Sequence, residues 1–172
     1  MPAPTKMEIQ KPKRKPNRLK QYDYSHPGYY FVTICVHNRV CCFGEIIKGK
    51  MVLNKYGKII EACWLDLPQH YSNCQLDAFQ IMPNHFHGIL ILSPVGNGFK
   101  PFPTHGLSEI IRGFKTFSSR HINKLNEIQF NWQKSFYDHV IRRDESLDKI
   151  REYIVNNPKQ WELDTENPKN LK

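Results

Sequence analysis

The sequence predicts an α+β fold in which helices pack on an antiparallel sheet, on the split βαβ plan of ferredoxin-like and RRM-like domains. One reason is the order of predicted elements along the 172 residues: strand, hairpin, helix, two strands, helix, strand, helix. Another is that the short strands are joined both by tight turns and by helical crossovers. The length suits one domain, which we place at residues 25–163, between a basic tail at 1–24 and a short C-terminal tail at 164–172.

Apolar runs and one hairpin supply the predicted strands. Residues 29–36 read YYFVTICV, and because both faces of this strand are apolar we expect it to be central. The runs 43–47 and 50–53 flank Lys48-Gly49, which indicates a hairpin. The remaining strands are predicted at 74–81, 85–92 and 136–142.

Three helices are predicted from apolar residues at helical spacing. The first spans 56–67 and is expected to end at Pro68, since proline rarely continues a helix. The second spans 108–125 and follows a loop rich in glycine and proline. The third is capped by Asp144 and is expected to stop at Pro158.

The composition indicates a soluble protein with an anionic partner. The formal net charge is +9, for which nucleic acid is the first candidate partner and an anionic membrane surface the second. Residues 1–20 hold seven basic side chains and one acidic side chain, so most of this charge lies in the basic tail, which we expect to be disordered. No apolar stretch could span a bilayer and no secretory signal is visible, so we expect a cytoplasmic protein without a membrane partner. The five cysteines form no C-x-x-C pair, which argues against a structural zinc site.

Two histidines, His85 and His87, stand at the start of the apolar strand 85–92. Residues two apart in a strand point to the same face, so both imidazoles project together while Phe86 enters the opposite side. Two imidazoles in this arrangement can ligate one divalent metal. Two unrelated histidines are the simpler interpretation of an H-x-H pattern, but the preceding Pro83-Asn84 turn and the buried strand favour a metal.

The last predicted helix carries a candidate nucleophile. Lys149, Tyr153 and Asn157 are four residues apart and line one flank of this helix, beside an apolar stripe that docks it. A tyrosine in such a place is more commonly a packing residue. Beside a cation and a metal, however, the phenol pKa of about 10 can be lowered, which makes a usable nucleophile. Tyrosine attack on a phosphodiester gives an ester that keeps the energy needed to rejoin strands.

Basic side chains alternate with aromatic ones in three places, around 18–24, 112–115 and 142–143. This pattern is typical of nucleic-acid surfaces, because bases stack on rings while cations contact phosphates. A solvated basic face with ordinary core aromatics is the alternative. The candidate DNA-contacting residues are Arg14, Arg18, Lys20, Arg112, Lys115, Arg142 and Lys149.

Residues 82–88, MPNHFHG, resemble the His-hydrophobe-His (HUH) block of the IS200-like single-tyrosine transposases. The resemblance is closest to the REP-associated tyrosine transposases of bacteria. Further stretches resemble the same family in the same order over residues 18–163, which makes the resemblance specific. They are YDYS at 22–25 with 27–34, IRGFK at 111–115, WQ at 132–133 with 137–142, and REYIVNNP at 151–158 with Trp161.

The resemblance implies a transposase: a metal-dependent nickase and strand transferase for single-stranded DNA with hairpin or palindromic ends. It implies His85 and His87 as ligands of Mg²⁺ or Mn²⁺, with Asn157 as a third ligand. It also implies Tyr153 as the nucleophile that forms a 5′-phosphotyrosine, whereas the rival Tyr137 lacks an asparagine four residues later. Such a protein would be nucleoid-associated and would act as a monomer or homodimer.

Two other functions fit part of the pattern. An RRM-like module would bind single-stranded nucleic acid without cutting it, with Tyr29, Tyr30 and Phe31 as stacking groups on an open sheet face. A metal-dependent phosphodiesterase would use water and the same two histidines. The first gives no reason for the paired histidines and the Tyr-x-x-x-Asn spacing, and the second leaves Tyr153 idle.

Overall fold

A computed structural model describes residues 22–94, 105–142 and 144–170. Arg14, Arg18 and Lys20 lie outside these residues. Within them, the helices and strands follow the predicted order. They are β1 (Gly28–Cys35), β2 (Gly44–Ile47), β3 (Lys50–Leu53), α1 (Lys55–Leu65), α2 (Leu67–His70), β4 (Cys74–Ile81), β5 (His85–Leu92), α3 (Leu107–Asn123), β6 (Tyr137–Ile141) and α4 (Asp144–Asn156), with 3-10 segments at His37–Arg39, Asn157–Leu163 and Pro168–Asn170.

The main sheet has four strands in the order β4-β5-β1-β6, and every neighbouring pair is antiparallel. β1 pairs with β5 along its whole length, from Gly28 opposite Leu92 to Cys35 opposite His85. The predicted central position of the first strand is therefore confirmed. β2 and β3 form a separate hairpin. With that hairpin set aside, the order β1-α1-β4-β5-α3-β6 is the predicted ferredoxin-like plan.

The main core lies between one face of the sheet and the helices α1 and α3. Trp64 of α1, Phe86 of β5 and Phe114 of α3 are fully buried there and pack ring against ring. Gly88 of β5 faces this cluster. A Cβ on Gly88 would lie 2.6 Å from the Trp64 ring and 2.7 Å from the Phe86 ring. The strand therefore needs a glycine one residue after the histidine pair.

The opposite face of the sheet is covered by α4. A second apolar cluster joins sheet residues to the helix: Phe31, Ile89, Ile141, Leu147 and Ile154. Because side chains alternate along a strand, His85 and His87 lie on the same face as Ile89, under α4. Tyr30, by contrast, is buried in the main core, and Phe31 is covered. The open aromatic face that an RRM-like stacking module requires is therefore absent at these two positions.

Two helix ends differ from the prediction, and proline explains both. α1 ends at Leu65, and Pro68 lies in the first turn of α2 rather than stopping a helix. α4 ends at Asn156, and the chain continues through Pro158 as a 3-10 helix. A first turn tolerates proline because a backbone N–H at that position would have no partner within the helix.

Among the described residues no helix has the length and apolar character needed to cross a bilayer.

Candidate metal and tyrosine site

The site is built around His85 and His87 at the start of β5. Both imidazoles are buried, 0% and 4% exposed, and they point to the same face as predicted. Their Nε2 atoms are 3.0 Å apart. The two rings meet edge to face, with centroids 4.6 Å apart. The two nitrogens therefore converge on one small volume, which is what two ligands of a single cation require.

Hydrogen bonds at the other ring nitrogens orient both histidines. His85 Nδ1 is 2.9 Å from Asn84 Oδ1, and His87 Nδ1 is 2.8 Å from the Thr33 hydroxyl. The Asn84 amide group donates to the backbone carbonyls of Arg39 and Glu166, which fixes its oxygen as the atom facing His85. His85 Nδ1 must therefore carry the proton, and its Nε2 presents a lone pair. Such bonds to the second nitrogen are typical of metal-binding histidines.

Burial keeps both rings neutral at ordinary pH. It lowers the pKa of His87 to about 4. Burial also lowers the pKa of His85 well below its ordinary value, and the neighbouring His87 adds to this. Neutral imidazole is the form that binds a metal ion.

A carboxylate that the sequence did not reveal completes the cluster. Asp164 Oδ2 lies 3.6 Å from His85 Nε2, and one donor atom from each of Asp164, His85 and His87 lies within 4.8 Å of the other two. The Asp164 side chain is 10% exposed, and burial raises its pKa. No motif or periodicity marks this residue in the sequence.

Asn157 follows the last turn of α4, as the first residue of the 3-10 segment. It is buried, and its Oδ1 has no hydrogen-bond partner among the residues that the structure describes. An unpaired buried carbonyl oxygen costs stability, so this atom is one that a bound ligand could satisfy. A cation is a suitable partner for an amide oxygen.

Tyr153 is the tyrosine nearest to this cluster in the described chain. Its ring centroid lies 5.5 Å from that of His87 and 6.2 Å from that of Phe31, and the residue is 44% exposed. The protein's own groups raise its pKa, whereas the lowering considered from the sequence requires a bound metal and an adjacent cation and stays a prediction. Burial is the main cause and the Asp164 carboxylate adds to it, while the Asn157 amide opposes both. The predicted cation, Lys149, is exposed on the helix.

The predicted DNA-contacting residues fall into two groups. Arg112, Arg142 and Lys149 are exposed. Lys115 is half-buried, and its Nζ donates to the carbonyl of Gln133 at 2.5 Å, with the carbonyls of residues 134 and 135 at 3.4 Å. A groove of about 660 Å³ between α3 and residues 131–136 is lined by Arg112 and Lys115.

The segment that follows α4 is part of the site. The Trp161 ring lies 6.0 Å from that of His85. Glu166 accepts from Asn84 through its backbone carbonyl at 2.8 Å and from Arg39 Nε through its carboxylate at 2.7 Å. Asp164 and Glu166, assigned to a C-terminal tail from the sequence, therefore contact the histidines and their supports.

Paired imidazoles on a central strand of a ferredoxin-like sheet thus face a partly exposed tyrosine on the covering helix. Residues 26–157 match the family described as "Transposase IS200 like". A protein of Haemophilus influenzae, described as uncharacterized, is 38% identical over 164 residues, which cover 88% of this chain and 91% of that protein.

A solved structure, described as a REP-associated tyrosine transposase bound to a REP hairpin, has the same fold. Its TM-score is 0.58 at 17% identity, and the match covers 83% of this chain and 73% of that one. Since the family match spans more than half of the chain, the protein belongs to the IS200-like transposase family.

Proposed function

We propose that this transposase-family protein nicks and rejoins single-stranded DNA through a 5′-phosphotyrosine on Tyr153. The observation that carries the proposal is the position of the Tyr153 ring, 5.5 Å from the His87 ring and open to solvent on one side. A nucleophile in a DNA-cutting site must reach both the bound metal and the incoming strand.

A divalent cation, Mg²⁺ or Mn²⁺, fits the residues present. His85 and His87 would hold it through Nε2, and Asn157 through the amide oxygen that lacks a partner. When bound, such an ion neutralises charge on a phosphate and orients it for in-line displacement. The chain supplies the support for these ligands through Asn84 and Thr33.

The chemistry at Tyr153 balances without a further reactant. The phenolic oxygen bonds to phosphorus, the bond from phosphorus to the 3′ oxygen breaks, and the phenol proton passes to that oxygen. The products are a 5′-phosphotyrosyl strand and a free 3′-OH. Attack by another 3′-OH reverses the step and joins strands. Because the raised pKa keeps Tyr153 protonated in the free protein, we expect the phenol to ionise only as it reacts.

Hairpin or palindromic single-stranded DNA is the proposed substrate. The structure of similar fold is described as bound to a REP hairpin, and we extend that kind of substrate to this chain. Arg112, Arg142 and Lys149 are exposed and suited to phosphate contacts, with Arg14 and Arg18 of the basic tail adding sequence-independent attraction. A protein with this substrate would act at the nucleoid in the cytoplasm.

A covalent-adduct assay tests the proposal. The full chain is incubated with labelled hairpin DNA and Mn²⁺, denatured, and separated by size. We expect an adduct with the wild type and with Tyr137→Phe, and none with Tyr153→Phe. Tyr137 is a matched control because it is also an exposed tyrosine that contacts the Phe31 ring.

The other outcomes identify the alternatives. An adduct that forms with Tyr153→Phe but not with Tyr137→Phe would identify Tyr137 on β6 as the nucleophile. Cleavage without any adduct would indicate a hydrolase that uses water. Binding without cleavage would indicate a nucleic-acid-binding module.

A further inference from the structure

We propose that Asp164 is a direct ligand of the divalent cation, so that the site is formed by two imidazoles and a carboxylate together with the Asn157 amide. This inference deepens the proposed function and rests on its metal site. Asp164 lies beyond residues 26–157, the part of the chain that the family match covers. The carboxylate therefore comes from the segment that follows the matched residues.

The distances fit ligands that share one ion. Asp164 Oδ2 is 3.6 Å from His85 Nε2, and the two Nε2 atoms are 3.0 Å apart. Ligand atoms that each lie about 2.1 Å from a common ion are about 3–4 Å from one another. The Asp164 side chain is only 10% exposed, so water solvates little of the carboxylate at this position.

A simple ion pair between Asp164 and His85 does not explain the contact. The Asn84 oxygen accepts the His85 Nδ1 proton, so His85 Nε2 and the carboxylate are both electron-pair donors facing each other. A second proton on His85 would place a positive charge on a ring that is 0% exposed. In the free protein the two Nε2 atoms share a hydrogen bond, whose proton His87 supplies because His85 Nε2 is unprotonated; a cation held between the two nitrogens and the carboxylate would replace that proton.

The carboxylate is oriented before any metal arrives. Asp164 Oδ1 accepts from the Glu166 backbone N–H at 2.7 Å, which leaves Oδ2 to face the histidines. Glu166 is in turn fixed by Arg39 and by Asn84. Because Asn84 bonds both His85 and the Glu166 carbonyl, one buried amide aligns a ligand on β5 with a ligand in the C-terminal segment.

Two properties follow from a carboxylate in the ligand set. A negatively charged ligand raises affinity for a hard divalent cation relative to a site with neutral ligands alone, and a pair of histidines with one carboxylate suits Mn²⁺ and Fe²⁺. Metal binding should also stabilise the segment that carries Asp164, since a ligand that binds the folded form favours it.

A metal titration with the full chain tests this. Free Mn²⁺ is followed by electron paramagnetic resonance for the wild type, Asp164→Asn and the control Glu162→Gln. The amide oxygen introduced by Asp164→Asn can still accept from the Glu166 N–H, whereas Glu162 is an exposed acid on the same segment. We expect the Kd for Mn²⁺ to rise at least about tenfold in Asp164→Asn. Losing even a hydrogen-bond partner of a metal ligand weakens metal binding by about 10- to 100-fold. The control should stay within about twofold.

Co²⁺ absorption separates ligation from a charge effect. We expect the visible bands of the Co²⁺-loaded protein to shift in Asp164→Asn and to stay unchanged in Glu162→Gln. Direct ligation would be contradicted if Asp164→Asn bound Mn²⁺ more weakly but kept the Co²⁺ bands of the wild type. It would also be contradicted if Asp164→Asn bound Mn²⁺ with the Kd of the wild type. Thermal melts without metal confirm that each variant is folded.

Failure of this inference is distinguishable from failure of the proposed function. If the wild type binds Mn²⁺ and forms the DNA adduct while Asp164→Asn binds Mn²⁺ equally well, only the role of Asp164 falls. If the wild type binds no Mn²⁺, the proposed metal site is contradicted, and so is the proposed metal-dependent function.

Discussion

The carboxylate of Asp77 on β4 accepts two hydrogen bonds from the guanidinium of Arg151 on α4, from Nε at 2.9 Å and from Nη2 at 2.5 Å. At 100° per residue, Arg151 and Tyr153 lie on opposite flanks of the apolar stripe that docks this helix. The pair therefore fixes the rotation of α4 about its axis, and with it the direction in which Tyr153 faces the histidines. A two-bond contact of this kind has stricter geometry than a single ion pair.

We expect Asp77→Asn to lower the Tm by about 2–4 °C and to slow adduct formation by Tyr153. The loss of the paired contact lets α4 rotate, so the phenol spends less time in position. Asp148→Asn is the control, because Asp148 also bonds Arg151 but is highly exposed. Thermal melts and single-turnover adduct assays measure both effects, and equal behaviour of the two variants would contradict the prediction.

The same contact predicts a dependence of stability on pH. The hydrogen bonds from Arg151 lower the pKa of the Asp77 carboxyl below its ordinary 3.8. A carboxyl whose pKa falls on folding stabilises the native state above the ordinary value, and this contribution is lost as pH falls through the lowered one. The Tm difference between wild type and Asp77→Asn should thus be constant above about pH 5 and shrink below about pH 4. A difference unchanged down to about pH 3 would count against the contact.

Thr33→Val should weaken Mn²⁺ binding about 10- to 100-fold, the usual effect of removing a hydrogen bond to a ligating histidine. The Thr33 hydroxyl is 2.8 Å from His87 Nδ1, and valine keeps the shape while removing the bond. Thr116→Val is the matched control, since the Thr116 hydroxyl bonds only within α3 at the carbonyl of Arg112. Titration with Mn²⁺ measures the Kd of both variants. Equal Kd values for Thr33→Val and Thr116→Val would exclude a supporting role for Thr33.

Lys115 and Arg112 are expected to act differently although both were predicted to contact DNA. Lys115→Met removes the donor that bonds the carbonyls of residues 133–135, so it should cost about 1–2 kcal/mol of unfolding free energy. Arg112→Gln should leave that free energy unchanged, since Arg112 is exposed. It should lower by about 1 the steepness with which the logarithm of the DNA-binding constant falls against the logarithm of salt concentration. Denaturant unfolding and DNA binding at several salt concentrations test the contrast. A salt slope changed only by Lys115→Met would reverse the assignment.

Local pattern was enough to predict the strands and the histidine geometry. Alternation along β5 places His85 and His87 on one face whatever the rest of the fold does, so their convergence could be read from spacing. The central place of β1 followed from its two apolar faces. Helix ends were less predictable, because Pro68 and Pro158 can either stop a helix or open the next turn.

Long-range packing was not readable from pattern. Asp164 lies near the histidines in a segment where Glu166 bonds Asn84 and Arg39, and these contacts join residues far apart in the chain. The stacking role considered for Phe31 failed for a similar reason, since the helix that covers it comes more than a hundred residues later. The raised pKa of Tyr153 also depends on burial under contacts that no short motif encodes.

The Tyr153 ring contacts the His87 ring of its own chain, so one polypeptide carries every group of the proposed site. Two inactive proteins, one His87→Ala and the other Tyr153→Phe, should therefore remain inactive when mixed, because neither can lend its intact residue to the other. Recovery of adduct formation in the mixture would mean that the helix is exchanged between chains. Without such exchange, dilution should leave the rate per molecule unchanged, and a single copy of the protein on a DNA hairpin would suffice for cutting.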